Sequence, residues 1–221
     1  MRFSAAIFDL DGTLCDTIGD LRTAMNEMLR QCGLPEVSRE VVLSSINTGA
    51  REFVRGCLPT ALQNDEHMLD RCLAIYKECY LRHYLDSTYA YAGMNELIAE
   101  LSAAGMKLGV LSNKQDVMTK AIVKALYGYT GFDERAVWGQ AFLPHKPDPS
   151  AAIYIAGTFC LKPGEIAFIG DSNVDMQTAN NAGMHSIGVT WGYRPADVLL
   201  AAGAKTLCST PAELGKFLLG K

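Results

Sequence analysis

The chain of 221 residues is 49% hydrophobic and carries a formal net charge of −4. That balance supports a sizeable core and excludes a disordered chain, and without a densely basic stretch it excludes a broad nucleic-acid surface. No run approaches the roughly 20 apolar residues of a membrane span, and the seven cysteines include no C-x-x-C pair, so they read as free thiols of a reducing compartment.

The N-terminal residues reach Asp9 without the apolar core of a signal peptide, so a cytoplasmic protein is expected. Ala5-Ala6-Ile7-Phe8 predicts a buried strand over 4–8. It runs into Asp9-Leu10-Asp11-Gly12-Thr13. Two carboxylates so close repel one another unless a cation or a shared proton compensates. From Asp16 the period turns helical: Leu21, Met25, Met28 and Leu29 share one face, and Gly33 with Pro35 stops the helix. Ser38 is placed to cap a short helix, Asn47-Thr48-Gly49 breaks the pattern, and Arg51 to Cys57 resumes it. A wide apolar stripe from Met68 to Tyr80 predicts a longer helix packed in a small bundle.

Beyond about Tyr91 strands and helices alternate. Gly93 opens a helix to Ala104, with Gly105 as its cap. A strand is expected over 107–111, a helix over 116–127 and a short strand over 136–138. Asp148 as N-cap and Pro149 at the first helical position start the next helix. Then follow a strand over 166–169, a helix to about Ala182, a strand over 185–189, a helix near 195–202, a weak strand over 205–208 and a last helix over 211–218. This alternation is the mark of an α/β fold. We expect a Rossmann-like, doubly wound parallel sheet core formed by 1–15 and 86–221, with a small α-helical cap domain, 16–85, inserted into it. In such sheets ligands bind at the carboxyl ends of the strands, where Asp9, Ser112 and Asp171 all fall.

Each of these pieces alone has two readings. Asp9-Leu10-Asp11-Gly12 is a solvated acidic turn, or a nucleophilic aspartate beside a proton-transferring one. A calcium loop of the EF-hand type is excluded, because its sixth position would be Leu14 and its twelfth Asp20. Ser112 is a helix-start residue or a hydroxyl that holds an oxyanion. Lys146, stiffened by Pro147 and Pro149, is a surface charge or a cation set against phosphate. Gly170-Asp171-Ser172-Asn173-Val174-Asp175 is an acidic helix start or part of a metal site completed by Asp9. Arg51, in the helical segment, is a solvated arginine or a guanidinium that grips a second negative charge of a substrate.

Taken together and in this order, Asp9-Leu10-Asp11-Gly12-Thr13, Ser112-Asn113, Lys146 and Gly170-Asp171-x-x-x-Asp175 resemble the haloacid dehalogenase superfamily of phosphohydrolases over nearly the whole chain. The resemblance implies that Asp9 attacks phosphorus to form an aspartyl-phosphate and that Asp11 protonates the leaving oxygen and later activates water. It implies that Ser112 holds the phosphoryl group, that Lys146 neutralises charge, and that Asp9, Asp11 (through its carbonyl), Asp171 and Asp175 form the Mg2+ site. Thr13, Asn113 and Arg51 are the substrate-binding candidates. The carboxylate at Asp11 argues against the dehalogenase branch. Tyr91-Ala92-Gly93-Met94, Gly188-Val189-Thr190-Trp191-Gly192-Tyr193 and Asn47-Thr48-Gly49-Ala50-Arg51 resemble the phosphoglycolate phosphatase group, with Ala92 where that group has proline. The expected partner is a small phosphorylated substrate such as 2-phosphoglycolate, with no nucleic acid or membrane, in a monomer or homodimer. The alternatives are a sugar phosphomutase of the beta-phosphoglucomutase kind, or a pyrophosphatase or nucleotidase of the same superfamily.

Overall fold

The protein is described by a computed structural model that covers residues 2–46, 49–128 and 130–221. The expected break at Asn47-Thr48 lies outside those residues. The chain divides into two compact units, Met1–Asp16 with Ala90–Lys221, and Thr17–Tyr89.

The larger unit holds a six-stranded sheet. Its strands are β1 (Ala5–Phe8), β4 (Lys107–Gln115), β5 (Phe132–Gln140), β6 (Ile166–Gly170), β7 (His185–Val189) and β8 (Thr206–Cys208), in the order β5-β4-β1-β6-β7-β8. Every neighbouring pair is parallel. The short strands β2 (Cys15–Asp16) and β3 (Tyr89–Ala90) flank the points where the chain leaves and re-enters this unit. Parallel strands require crossovers, and α5 (Met94–Ala103), α6 (Asp116–Tyr127), α7 (Ser150–Phe159), α8 (Asn173–Asn181) and α9 (Ala196–Ala201) supply their helices, while α10 (Pro211–Leu219) follows the last strand.

β1 is apolar at every position because it is covered on both faces; all four of its residues are buried. Ala5 and Ile7 turn toward Ala152, Ile155, Ala156 and Phe159 of α7 and Ala179 of α8. Phe8 points the other way and lies edge-on to Phe132, which meets Tyr127 of α6. In register, Phe8 stands level with Val110 of β4 and Ile169 of β6. One further residue along each chain therefore brings Asp9 beside the approach to Ser112 and Asp171. The crevice at the carboxyl ends opens there, because the chain winds outward from β1 in both directions.

Three expectations are corrected. β4 continues four residues beyond the expected 107–111, so Ser112 and Asn113 lie within the strand and not after it. β5 runs over nine residues, not three, because an edge strand leaves Asp133 half-buried and Glu134 and Arg135 exposed and so breaks the apolar alternation. Helix α7 begins at Ser150, one residue later than the prolines suggest; Asp148 satisfies the Ser150 N–H with its carboxylate (2.9 Å), from one position further out.

The smaller unit is all-helical: α1 (Ile18–Gln31), α2 (Arg39–Ser45), α3 (Ala50–Cys57) and α4 (Glu66–His83), with a 3-10 turn at Thr60–Leu62. Leu21, Met25, Met28 and Leu29 of α1 and Leu69, Cys72, Tyr76 and Tyr80 of α4 are its buried stripes. Ser38 and Asp65 cap α2 and α4 by accepting the Val41 and Met68 amides. Asp20 is buried at the start of α1 and accepts four hydrogen bonds, from the amides and hydroxyls of Ser87 and Thr88. All seven cysteines are free, and among the described residues no helix is long and apolar enough to cross a membrane.

Candidate active site

The carboxyl ends of β1, β4 and β6 carry the chemistry. Asp9 follows β1 directly and is buried; its amide donates to Ile169 O, which ties the turn to β6 (2.8 Å). The chain then turns at Gly12, whose φ is +84°. A side chain there would be strained by that conformation and would also put a Cβ 2.3 Å from Asp171 Oδ2. Gly170 is required for a similar reason: a Cβ would stand 2.3 Å from the Cβ of Asp175.

Lys146 reaches this cluster from the loop between β5 and α7. Its buried ammonium lies 2.8 Å from Asp9 Oδ1 and 2.7 Å from Asp175 Oδ1. Asp175 is otherwise held by Ser172, whose amide and hydroxyl both donate to Oδ2 (3.0 and 2.5 Å). Asp171 accepts from Thr13 Oγ1 (3.2 Å) and from the Tyr193 amide (2.7 Å). Asp11 pairs with Lys114 at 3.0 Å. Ser112 is buried on β4 and its hydroxyl accepts the Lys114 amide (3.2 Å).

Burial decides the electrostatics. The Asp9 carboxyl is held well above its ordinary value by burial and then by Asp175, against the opposing pull of Lys146. Asp171 is pushed up to about 7 by burial and by Asp175, although the Tyr193 amide, Lys146 and Thr13 counter it. Burial would lower the Lys146 pKa, but Asp175 and Asp9 more than offset that and hold it above the ordinary value. Asp9, Asp171 and Asp175 each offer an oxygen, all within 4.8 Å of one another. One ammonium stands among these three carboxylates, so negative charge is left over. An all-oxygen, anionic, buried donor set of this size fits a hard divalent cation such as Mg2+.

The expected site residues therefore divide. Asp9, Lys146, Asp171 and Asp175 form one cluster, with Thr13 bound to Asp171. Asp11 and Ser112 meet through Lys114, a residue the sequence reading passed over although it follows Ser112-Asn113 directly. Asn113 is turned onto the main chain of Lys146. Arg51 lies in the helical unit, and its guanidinium, expected to face a substrate anion, is occupied by Glu66 (2.6 Å) and Asp70 (2.5 Å). The loop after β7 was also missed as part of the site's frame. Trp191 donates its indole N–H to Thr13 O (3.0 Å), Tyr193 donates its hydroxyl to Asp16 (3.0 Å), and Gly192 packs so closely that a Cβ would sit 2.3 Å from Asp171 Cβ.

The sequence pattern of a family described as haloacid dehalogenase-like hydrolase matches residues 6–189. A phosphoglycolate phosphatase of Nitrosospira multiformis is 34% identical over 195 residues, which span 87% of this chain and 86% of that protein. An N-acetylmuramic acid 6-phosphate phosphatase of Pseudomonas aeruginosa is 30% identical over 215 residues, 97% of this chain and 94% of that one. The crystal structure of a predicted phosphoglycolate phosphatase from Haemophilus somnus superposes with a TM-score of 0.88 at 26% identity and covers 98% of each chain.

Proposed function

The chain belongs to the haloacid dehalogenase-like hydrolase family and is an enzyme of its phosphatase kind, and from that premise we propose that it hydrolyses a small phosphomonoester bearing a carboxylate, with 2-phosphoglycolate as the first candidate. The observation that carries this reading is the buried Lys146 ammonium between Asp9 and Asp175 with Asp171 alongside. Phosphoryl transfer asks for an in-line nucleophile and charge neutralisation more than for any other chemistry. The two relatives named above act on phosphoglycolate and on a phosphorylated sugar acid, and both substrates join a phosphomonoester to a carboxylate.

In this mechanism an Asp9 oxygen attacks phosphorus, the bond from phosphorus to the ester oxygen breaks, and Asp11 donates a proton to the departing alkoxide. Asp11 then takes a proton from water as that water attacks the aspartyl-phosphate, which releases inorganic phosphate and restores Asp9. Lys146 faces the charge on Asp9 and on the transferring group, and Ser112 donates to a phosphoryl oxygen. Asp9, Asp171 and the Asp11 carbonyl would hold Mg2+, with Asp175 closing the acidic site; the cation would supply charge neutralisation at the phosphoryl oxygens. The helical unit, residues 17–89, inserted after the nucleophile loop, is the cap that admits the substrate in this reading.

The test is phosphate release from 2-phosphoglycolate, N-acetylmuramic acid 6-phosphate, a sugar phosphate, a nucleoside monophosphate and pyrophosphate, with Mg2+ and with chelator. We expect Mg2+-dependent turnover, best on a carboxylate-bearing ester, and none from Asp9→Asn. Turnover by Asp9→Asn, or full activity in chelator, would overturn the assignment. Phosphate retained in an isomerised sugar would favour a mutase instead.

A further inference from the structure

Asn113 spends both ends of its side-chain amide on one residue. Oδ1 accepts the Lys146 N–H at 2.8 Å, and Nδ2 donates to the Lys146 carbonyl at 3.1 Å. The orientation of the amide is fixed by its partners, because a backbone N–H only donates and a carbonyl only accepts. The pair of bonds imitates one rung of a sheet ladder, laid between the end of β4 and a segment that has no ladder of its own. Lys146 lies in the stretch between β5 and α7, which is neither helix nor strand. Pro144, Pro147 and Pro149 remove three amides from that stretch. Within the stretch Asp148 N–H turns back to His145 O (3.0 Å), and the main-chain groups of Lys146 take their partner from β4 instead.

Position matters here more than in an ordinary loop. The Lys146 side chain has four rotatable bonds, yet its tip must reach two carboxylates at 2.8 and 2.7 Å. A displacement of the main chain by an ångström would break one contact or both, and misplacement on that scale costs catalysis heavily. A second tie acts further along the loop: Asn181 of α8 donates to the Pro147 carbonyl at 3.0 Å. Its bond is a single one, and it lies one residue away from the lysine.

We infer that Asn113 is a positioning residue that acts through Lys146, setting the origin of the lysine's reach from β4, and is not a substrate contact. The effect on turnover rests on the phosphatase reading above; the clamp itself does not.

Two measurements separate the two claims. The first is amide hydrogen exchange at Lys146, followed by NMR on the whole protein. The Lys146 amide is expected to be protected in the parent and to exchange about tenfold faster in Asn113→Ala, the scale of one lost hydrogen bond. Asn113→Asp keeps an acceptor for that amide and loses the donor, so it is expected to retain the protection. It also serves as the second variant if Asn113→Ala folds poorly. The second measurement is steady-state hydrolysis of p-nitrophenyl phosphate. Asn113→Ala is expected to lower kcat about 10- to 100-fold with a smaller change in KM, and Asn181→Ala to lower it by less. An unprotected Lys146 amide in the parent overturns the inference. So does an Asn113→Ala variant that raises KM with kcat unchanged, the signature of a lost substrate contact. A parent inactive on every phosphoester but protected at the Lys146 amide would overturn the phosphatase reading and support the clamp.

Discussion

The same arrangement, one cation between two carboxylates, occurs in both units of the molecule. In the α/β unit Lys146 lies between Asp9 and Asp175, with side chains 4%, 4% and 0% exposed. In the helical unit Arg51 lies between Glu66 and Asp70, with side chains 39%, 61% and 65% exposed. Contact distances are alike, although Glu66 is shared with a second cation, Arg55 (2.9 Å); the larger difference is the surrounding medium. Water screens the Arg51 network and could replace either partner. Around Lys146 no such replacement is at hand, and each group there depends on the others for its charge state. A buried triad of this kind is a poor way to gain stability and a good way to hold charge ready for an incoming anion.

The largest expected effect follows from breaking the buried triad. Lys146→Ala leaves Asp9 and Asp175 facing each other with their ammonium gone. We expect a fall in kcat of about a thousandfold or more and a loss of about 3–5 kcal/mol in stability at pH 8. Chemical denaturation at several pH values checks the second figure. The loss is expected to shrink toward pH 5, as a carboxyl takes up a proton in place of the missing cation.

Removing a carboxylate from the same site is expected to act in the opposite direction. Asp171 is raised from 3.8 to about 7 by burial and then by Asp175. Between those values the folded chain binds more protons than the unfolded one. Stability therefore falls as pH rises from about 4 to about 7, and the full penalty stands above 7. In chelator at pH 8, Asp171→Asn is expected to melt several degrees higher than the parent. The upper limit is on the order of 4 kcal/mol, and the gain is expected to disappear near pH 4. Saturating Mg2+ should narrow the difference, since it stabilises only the chain that keeps its ligand. A parent that melts higher than Asp171→Asn in chelator at pH 8 would mean that the donors from Thr13 and Tyr193 outweigh burial.

The helical unit has its own buried carboxylate, and it sharpens the contrast. Asp20 is 1% exposed and accepts from Ser87 N (2.8 Å), Ser87 Oγ (2.5 Å), Thr88 N (2.9 Å) and Thr88 Oγ1 (2.7 Å). Here four neutral donors, not a cation, compensate the charge. Asp20→Ala strands those donors and is expected to cost about 2–3 kcal/mol, read as a lower denaturation midpoint. A cost below about 0.5 kcal/mol would mean that water enters and satisfies the donors.

How far the sequence could be read follows the same physics. β1 and β6 were legible because strands buried on both faces read as short apolar runs, and the Asp-Leu-Asp-Gly and Gly-Asp turns mark where they stop. The edge strand β5 was not, since half-buried Asp133 and exposed Glu134 and Arg135 hide its period. For the site, residue types and strand ends pointed to Asp9, Ser112, Lys146 and Asp171. Their partners were out of reach: Thr13 meets Asp171 across 158 positions, Trp191 meets Thr13 across 178, and Asn113 meets Lys146 across 33. No local period connects such pairs; only the sheet order does. Arg51 shows the limit from the other side. Its guanidinium left two readings open, solvated or substrate-facing, and the acids that bond it come from α4, 15 and 19 residues away.

That leaves the smallest effect, at the exposed counterpart of the Lys146 triad. Arg51→Ala removes a cation from two carboxylates that stand mostly in water, and salt already weakens their attraction at physiological ionic strength. Its cost is expected to be below about 1 kcal/mol, and smaller still in 1 M salt, where the Debye length is only about 3 Å. Denaturation midpoints at low and high salt measure this directly. KM for 2-phosphoglycolate is expected to stay within about twofold of the parent value, because the guanidinium is already bonded to Glu66 and Asp70 and would have to give up two charge-assisted hydrogen bonds to reach a substrate. A large rise in KM with the denaturation midpoint unchanged would show that it makes that exchange. The exposed triad would then be a substrate-reading group held in reserve, and exposure, which makes it weak, would also be what lets it move.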